Sequence, residues 1–300
     1  MKKLIIIILL SILIIILINP LETMRAVDTS FNICIKNLFP TLFPFLLISN
    51  IMVNYGFIDI CSQTGKKIMP KLFGINANGF YVVFMSMLSG SPSNAKYINQ
   101  LLDKNLINNY EANQLLKFTQ FVNPLFIIGT IGITYLHSPK LGMIILISHY
   151  LGNFIIGLTL KKKTNIANQN YITIDNNKSF FQILTQSIND TINTLMLILG
   201  VITSCLILIT MINQILFLNP LCNGILEITQ GIKYISSSHI DIFLKTIIIT
   251  FFISFGGLSI HMQVMSILED KKIRYLPYLF TRIIHGLISS IIVIILYIIL

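Results

Sequence analysis

The chain has 300 residues, of which 54% are hydrophobic and 11% charged, and its mean hydropathy is +0.81. Soluble domains carry about 25% charged residues, so a soluble fold is excluded; the length fits roughly six to eight membrane spans of about 20 residues each. The net charge of +10 is dispersed among connections, as orientation signals and an anionic lipid surface require, and does not suggest nucleic acid.

Met1-Lys2-Lys3 precedes an apolar run from Leu4 to Ile18. The run is short enough for a signal peptide, but Asn19-Pro20-Leu21-Glu22 offers no small-x-small cleavage site. It therefore reads as an uncleaved first span with its N-terminus inside. Glu22 to Lys36 is mixed in polarity and reads as an outside connection. Leu38 to Val53 reads as a span crossing inward, with Pro40 and Pro44 in its first turns, where a missing N–H is cheap. Lys66, Lys67 and Lys71 mark the following loop as cytoplasmic.

Phe80 to Ser91 is too short to cross once broken at Gly90 and Pro92. Lys96 and Lys104 follow, so both ends point inside, the pattern of a re-entrant hairpin. Tyr97 to Lys117 reads as an amphipathic helix, with Asn108 and Glu111 spaced as a capping box. Phe118 to Leu136 reads as one span around Asn123-Pro124, with Gln120 and Asn123 placed to answer the carbonyl that Pro124 frees. His137-Ser-Pro-Lys140 is a tight turn, and Leu141 to Leu160 returns to Lys161-Lys162-Lys163. Thr164 to Asn177 is a polar linker.

Asn189 to Ile212 crosses next, and Leu218 to Lys245 reads as loop and short helix. Thr246 to Ser259 is a second apolar segment, broken at Gly256-Gly257. Glu269 to Arg274 is a charged loop, and Leu276 to Leu300 is the last span. A re-entrant second segment, the favoured reading, puts Lys271, Lys272 and Arg274 outside against the basic-loop rule; a spanning one puts them inside. Aligning Gly90 with Gly256, Ser93 with Ser259 and Asp103 with Glu269 suggests an internal repeat. Its halves would be inverted, as in many transporters. The expected fold is an all-α polytopic transmembrane helix bundle with two broken or re-entrant segments. Residues 1–37 form an anchor span and connection, 38–160 the first half, 161–179 a cytoplasmic linker and 180–300 the second half.

Leu38-Phe-Pro-Thr-Leu-Phe-Pro-Phe, Gly90-Ser-Pro-Ser-Asn-Ala-Lys, Glu111-Ala and Phe121-Val-Asn-Pro-Leu-Phe carry a resemblance that continues in the second half. There it rests on Leu226-Glu-Ile-Thr-Gln-Gly, Gly256-Gly-Leu-Ser-Ile-His-Met-Gln and Tyr278-Leu-Phe-Thr-Arg-Ile-Ile-His-Gly. In this order they resemble the YlbJ-type sporulation integral membrane proteins, grouped with Gate, or nucleoside-recognition, domains. The resemblance implies a bacterial cell or forespore membrane and a role in spore maturation, and supplies no substrate.

Ser89, Gly90, Ser91, Ser93 and Asn94 at the first break, and Gly256, Gly257, Ser259 and Gln263 at the second, are candidates to line a solute path. Small residues equally suit helix–helix contact. Free N–H groups at a half-helix start would favour an anion or polarised oxygen. Glu227 is a candidate intramembrane carboxylate or an interfacial one. Arg282 and His285 share a helix face, suited to a carboxylate such as Glu227, to an anionic solute or to snorkelling. Asn123 reads as a backbone patch, and His137 and His149 as ordinary. Cys34, Cys61, Cys205 and Cys222 are far apart, and a Cys34–Cys222 disulfide has nothing to support it. No metal-ligand spacing occurs, no cofactor is called for, and Ser259 with His285 lacks the spacing of a hydrolase. Two readings remain: a transporter or permease of a small polar solute, nucleoside-like or anionic, or a non-transporting scaffold that binds spore envelope proteins.

Overall fold

The computed structural model describes residues 2–161, 179–216 and 220–299, and all regular structure among them is helical. Lys162, Lys163 and the linker 164–177 lie outside the described residues. Helix α1 (Lys2–Ile18) runs almost directly into α2 (Pro20–Ile33), Asn19 N–H still donating to Ile15 O at 2.9 Å. Most of its side chains point outward; Leu17 and Ile18 are 70% and 71% exposed.

Glu22–Lys36 is not an extended connection. It is helical through α2 and a π-helical turn, Cys34–Leu38, that leads into α3 (Phe39–Asn54). Its polar side chains are satisfied within the helix: Arg25 pairs with Glu22 at 2.5 Å, and Thr29 and Asn32 bond carbonyls four residues back. Ala26, Ser30 and Ile33 are its buried residues, and Ser30 reaches Thr203 at 2.7 Å. Pro40 and Pro44 thus sit inside a continuous helix. A π-helical turn precedes them, Phe39 N–H donating to Cys34 O, and the Thr41 hydroxyl bonds Asn37 O at 2.7 Å.

Lys66, Lys67 and Lys71 lie on the exposed face of α4 (Phe57–Phe73), not in a loop. Ile58, Cys61, Gly65, Met69 and Phe73 form its buried face, with Gly65 against Phe80. Helices α5 (Gly79–Ser89) and α6 (Ser93–Asp103) pack side by side as a hairpin. Its open end is closed by Asn78, which donates to Leu106 O at 3.1 Å. The amphipathic helix expected over 97–117 is divided at 104–108. Helix α7 (Asn109–Phe118) starts at the capping box, Asn108 accepting from Glu111 N at 2.9 Å and Glu111 from Asn108 N at 3.0 Å.

The span expected over 118–136 is interrupted. Residues 119–123 are non-helical, and the helix resumes at Pro124 with a π-helical stretch, Phe126–Tyr135. Ser138 caps α8 (Pro139–Thr159), and α9 (Phe180–Leu216) is longer than expected. Helices α10 (Pro220–Leu226) and α11 (Ile228–Ser237) form a second hairpin with Glu227 at its tip. Gly224 and Gly231 let the legs touch, since a Cβ on Gly231 would lie 2.3 Å from Gly224 Cα. Helices α12 (Ile242–Phe255), α13 (Gly257–Ile267) and α14 (Tyr275–Ile299) complete the bundle.

The second glycine break does not make a re-entrant hairpin. Phe243, at the start of α12, stacks near Tyr297 at the far end of α14, ring centroids 4.7 Å apart. Lys271, just after α13, binds Asp103 at 2.5 Å, beside the start of α14. So α12 and α13 run through the bundle from end to end, broken in the middle. Gly90 and Gly256 therefore sit on unlike elements, a hairpin and a crossing. The basic-loop conflict disappears as well. Asn113 holds Lys272 O and Arg274 N at 2.9 Å each, and Lys161 donates to Lys71 O at 2.5 Å. Both contacts lie at the end where α5–α6 opens, so Lys71, Lys161, Lys271, Lys272 and Arg274 share one end of the molecule, in keeping with the basic-loop rule.

Candidate functional site

The hairpin tips and broken crossings converge on a cleft. Ser91 and Pro92 enter from the first tip, Val122 and Asn123 from the first broken crossing, Glu227 and Thr229 from the second tip, and Ile260 and Gln263 from α13. Thr41 and apolar residues of α3 and α9 complete the wall. Glu227 is its one acidic residue, and none of the lining residues is basic.

Each break needs partners for the backbone groups it frees. At the first tip, Ser91 N–H donates to Phe121 O at 2.7 Å. Asn123 reaches Leu88 O at 3.2 Å and also Ser89 O, while its own Oδ1 accepts Leu125 N–H at 2.8 Å. One side chain thus closes the end of α5 and starts the next helix. Tyr150 donates to Met87 O at 2.5 Å. Gly90, with φ +81°, lies flat on this segment; a Cβ there would be 2.5 Å from Asn123 N. Glycine is required on both counts.

At the second tip, Glu227 is 2% exposed and caps α11, accepting from Gln230 N at 3.0 Å and from the Thr229 hydroxyl. It is buried and not solvated. Gly257 rests against Ile228 N and Leu226 O of this tip, and Gly256 against the Gln120 amide. Residues 119–123 therefore touch both the first tip and the second break.

Helix α14 serves the crossings. Arg282 is fully buried, donating to Lys117 O at 2.6 Å and Asn153 Oδ1 at 3.1 Å, with Nε and Nη1 unpartnered. It does not snorkel and it does not meet Glu227; it faces the carbonyl end of α7, where a cation is favourable. His285 places its ring nitrogens 2.9 Å from Ser254 O and His149 O, and Tyr278 donates to Gln120. His149 is not ordinary: Nε2 accepts Val122 N–H at 3.0 Å and Nδ1 lies 2.9 Å from Ser254 Oγ, linking the two broken crossings. Gln120, His149, Asn153 and Tyr278 were absent from the expected site. Lone polar residues in apolar runs were their only sequence signal.

Of the expected residues, Ser91, Asn123, Glu227 and Gln263 share the cleft. Ser93, Asn94 and Ser259 are buried and do not line it; their side-chain polar atoms, like the Ser91 hydroxyl, have no partner, and Ser89 bonds Tyr97 and Met85 O. The half-helix starts do not present free N–H groups to an anion. Ser91 N–H is taken by Phe121 O, Ser93 N–H by Gly90 O within the tip, and Gln230 N–H by Glu227. All four cysteines are unpaired; Cys34 is buried and Cys222 exposed.

Fold and cleft together define a polytopic α-helical membrane protein in which two helical hairpins meet two broken helices. Over 93% of its length the chain is 26% identical to the sporulation integral membrane protein YlbJ of Bacillus subtilis, covering 78% of that protein. The similarity supports the YlbJ-type family that the sequence motifs resemble, and a multi-pass location in a bacterial membrane. No protein-family model and no solved structure matches the chain.

Proposed function

We propose that the protein is a permease for a small polar solute, working in spore formation, with two halves arranged as an inverted repeat of the Gate type. The halves would be 38–160 and 180–300, joined by 161–179. In each, a long helix precedes a hairpin, α5–α6 or α10–α11, and then a broken crossing, α7 with 124–135 or α12–α13. The hairpins open at opposite ends, and the repeat pairs the Gly90 tip with the Glu227 tip.

The observation that carries the reading is the cleft at the meeting of the tips, walled by apolar side chains and holding Glu227, Ser91, Asn123 and Gln263. Midplane sites at repeat interfaces are the pattern of secondary transporters. A carboxylate facing a cleft with no basic lining favours a solute with an apolar body and donor or cationic groups, and disfavours an anion. Burial of Ser93, Asn94 and Ser259 outside the cleft favours a second reading in which the hairpins only hold helices together.

Cysteine labelling separates the two. In a cysteine-free background, Ser91→Cys is expected to react with a membrane-impermeant thiol reagent from one side of the membrane, and Ser259→Cys to stay unreactive. A folded protein in which Ser91→Cys reacts from neither side would sink the permease reading and favour the scaffold.

A further inference from the structure

Helix α12 stops inside the bundle, and buried histidines gather around its end. The carbonyls of a last helical turn have no partner within the helix. His261 Nε2 lies 2.9 Å from Phe255 O, and its Nδ1 faces the Tyr275 hydroxyl at 3.4 Å. His149 Nε2 accepts Val122 N–H at 3.0 Å, and its Nδ1 lies 2.9 Å from Ser254 Oγ. One ring proton satisfies each of these two: Nε2–H in His261, because a carbonyl only accepts, and Nδ1–H in His149, because a backbone N–H only donates.

His285 is different. Its Nδ1 lies 2.9 Å from Ser254 O and its Nε2 2.9 Å from His149 O. Both partners are carbonyls, and a neutral imidazole has a single N–H. One nitrogen would then set its lone pair against an oxygen. Turning the ring over sets ring carbons against both carbonyls and gives up both bonds. Ser254 O, in the last turn of α12, has the stronger call on the first proton. His149 O sits in the middle of α8, where the helix already supplies a donor. The position left for a second proton is Nε2.

We infer that His285 Nε2 is a proton-binding site, and that its proton decides whether α14 holds α8 as well as α12. With two protons the ring clamps both helices, on the residue whose side chain holds Val122 of the other broken crossing. With one, the approach to His149 O becomes repulsive and the α8 side lets go. The groups around the ring leave the proton free to exchange. His149 faces it from α8, ring centroids 4.9 Å apart, and Arg282 lies one turn away on α14. Helix α12 offers Ser254, its ionisable Lys245 bonding Ser236 O at the other end, and α7 reaches α14 at Arg282 through Lys117 O. None of these groups at the ring is a carboxylate that would fix the charge. The buried Arg282 cation opposes the second proton while the paired carbonyls call for it. The clamp belongs to the helix packing and stands whether or not the central cleft passes a solute.

Full-length protein carrying His137→Gln and His239→Gln, both at exposed positions, is isotope-labelled at its histidine nitrogens in detergent. The ring nitrogens are followed by NMR from about pH 5 to about pH 8. His149 is recognised by the coupling of its Nε2 to the Val122 amide, and His261 by the shift that Tyr275→Phe causes. The remaining signal is His285, with its own site unaltered. His149 and His261 are expected to keep one ring proton throughout. His285 is expected to carry two at the acid end and to lose the one on Nε2 as the pH rises. The close approach of its ring to Gly152 is expected to loosen with that loss, read as a weakened Overhauser contact. A single proton on His285 at every pH would overturn the site, and two at every pH would make it a fixed charge and overturn the switch. An unchanged Gly152 contact would overturn the opening of the clamp.

Discussion

Hairpin α5–α6 ends on a glycine and hairpin α10–α11 ends on a glutamate. The first tip presses Gly90 backbone-to-backbone onto residues 121–123, and neighbouring side chains, Asn123 and Tyr150, answer its carbonyls. The second tip answers itself, Glu227 capping its own helix α11. A tip fixed by backbone contact has one arrangement, whereas a tip held by an ionisable cap can exchange partners. Under the permease reading, the difference gives the first hairpin a mainly architectural part and the second the ionisable group of the cleft.

The largest expected effect tests the architectural half. Gly90→Ala adds a Cβ 2.5 Å from Asn123 N at φ +81°, with no flexible atom to give way. It is expected to cost more than about 3 kcal/mol, read as loss of folded protein in detergent unfolding assays. Wild-type stability would mean that the tip is not seated on 121–123. Gly256→Ala is expected to cost less, about 1–2 kcal/mol. Its φ is +93°, but its new Cβ meets side chains, chiefly the Gln120 amide, and no backbone atom. An equal loss at both glycines would erase the distinction between backbone and side-chain contact.

The smallest expected effect tests the other half. Glu227→Ala removes the cap of α11 and is expected to cost about 1 kcal/mol in thermal unfolding. Glu227→Gln keeps an acceptor for Gln230 N–H and is expected to stay within about 0.5 kcal/mol of wild type. Under the permease reading Glu227→Gln nonetheless stops solute uptake into proteoliposomes. Uptake unchanged by Glu227→Gln would return Glu227 to a purely structural role.

Much of the helix inventory was legible because it rests on local rules. The capping box at Asn108, the turn at His137-Ser138, and the breaks at Gly90 and Gly256 depend on neighbours in sequence, and each lies where its residues place it. The interruption at 119–123 was not legible, because Thr119 to Val122 contains no breaker before Pro124. What holds it open comes from α8 and α14: His149 on Val122 N, Asn153 on Gln120 O and Tyr278 on Gln120. The Gly90–Gly256 alignment misled for a related reason. A helix that turns back and one that runs on can share the same glycine signal.

By itself, the sequence determined that the chain is an apolar helical bundle broken at glycines, since burial in lipid and missing N–H groups are properties of composition and short motifs. Only the tertiary structure decided which break is a hairpin and which a crossing. It also decided that Glu227 faces Ser91, Asn123 and Gln263 and not Arg282. The reason is that partners for a freed backbone group or a buried charge are chosen by what packs beside them, here from helices as much as 165 residues away in sequence.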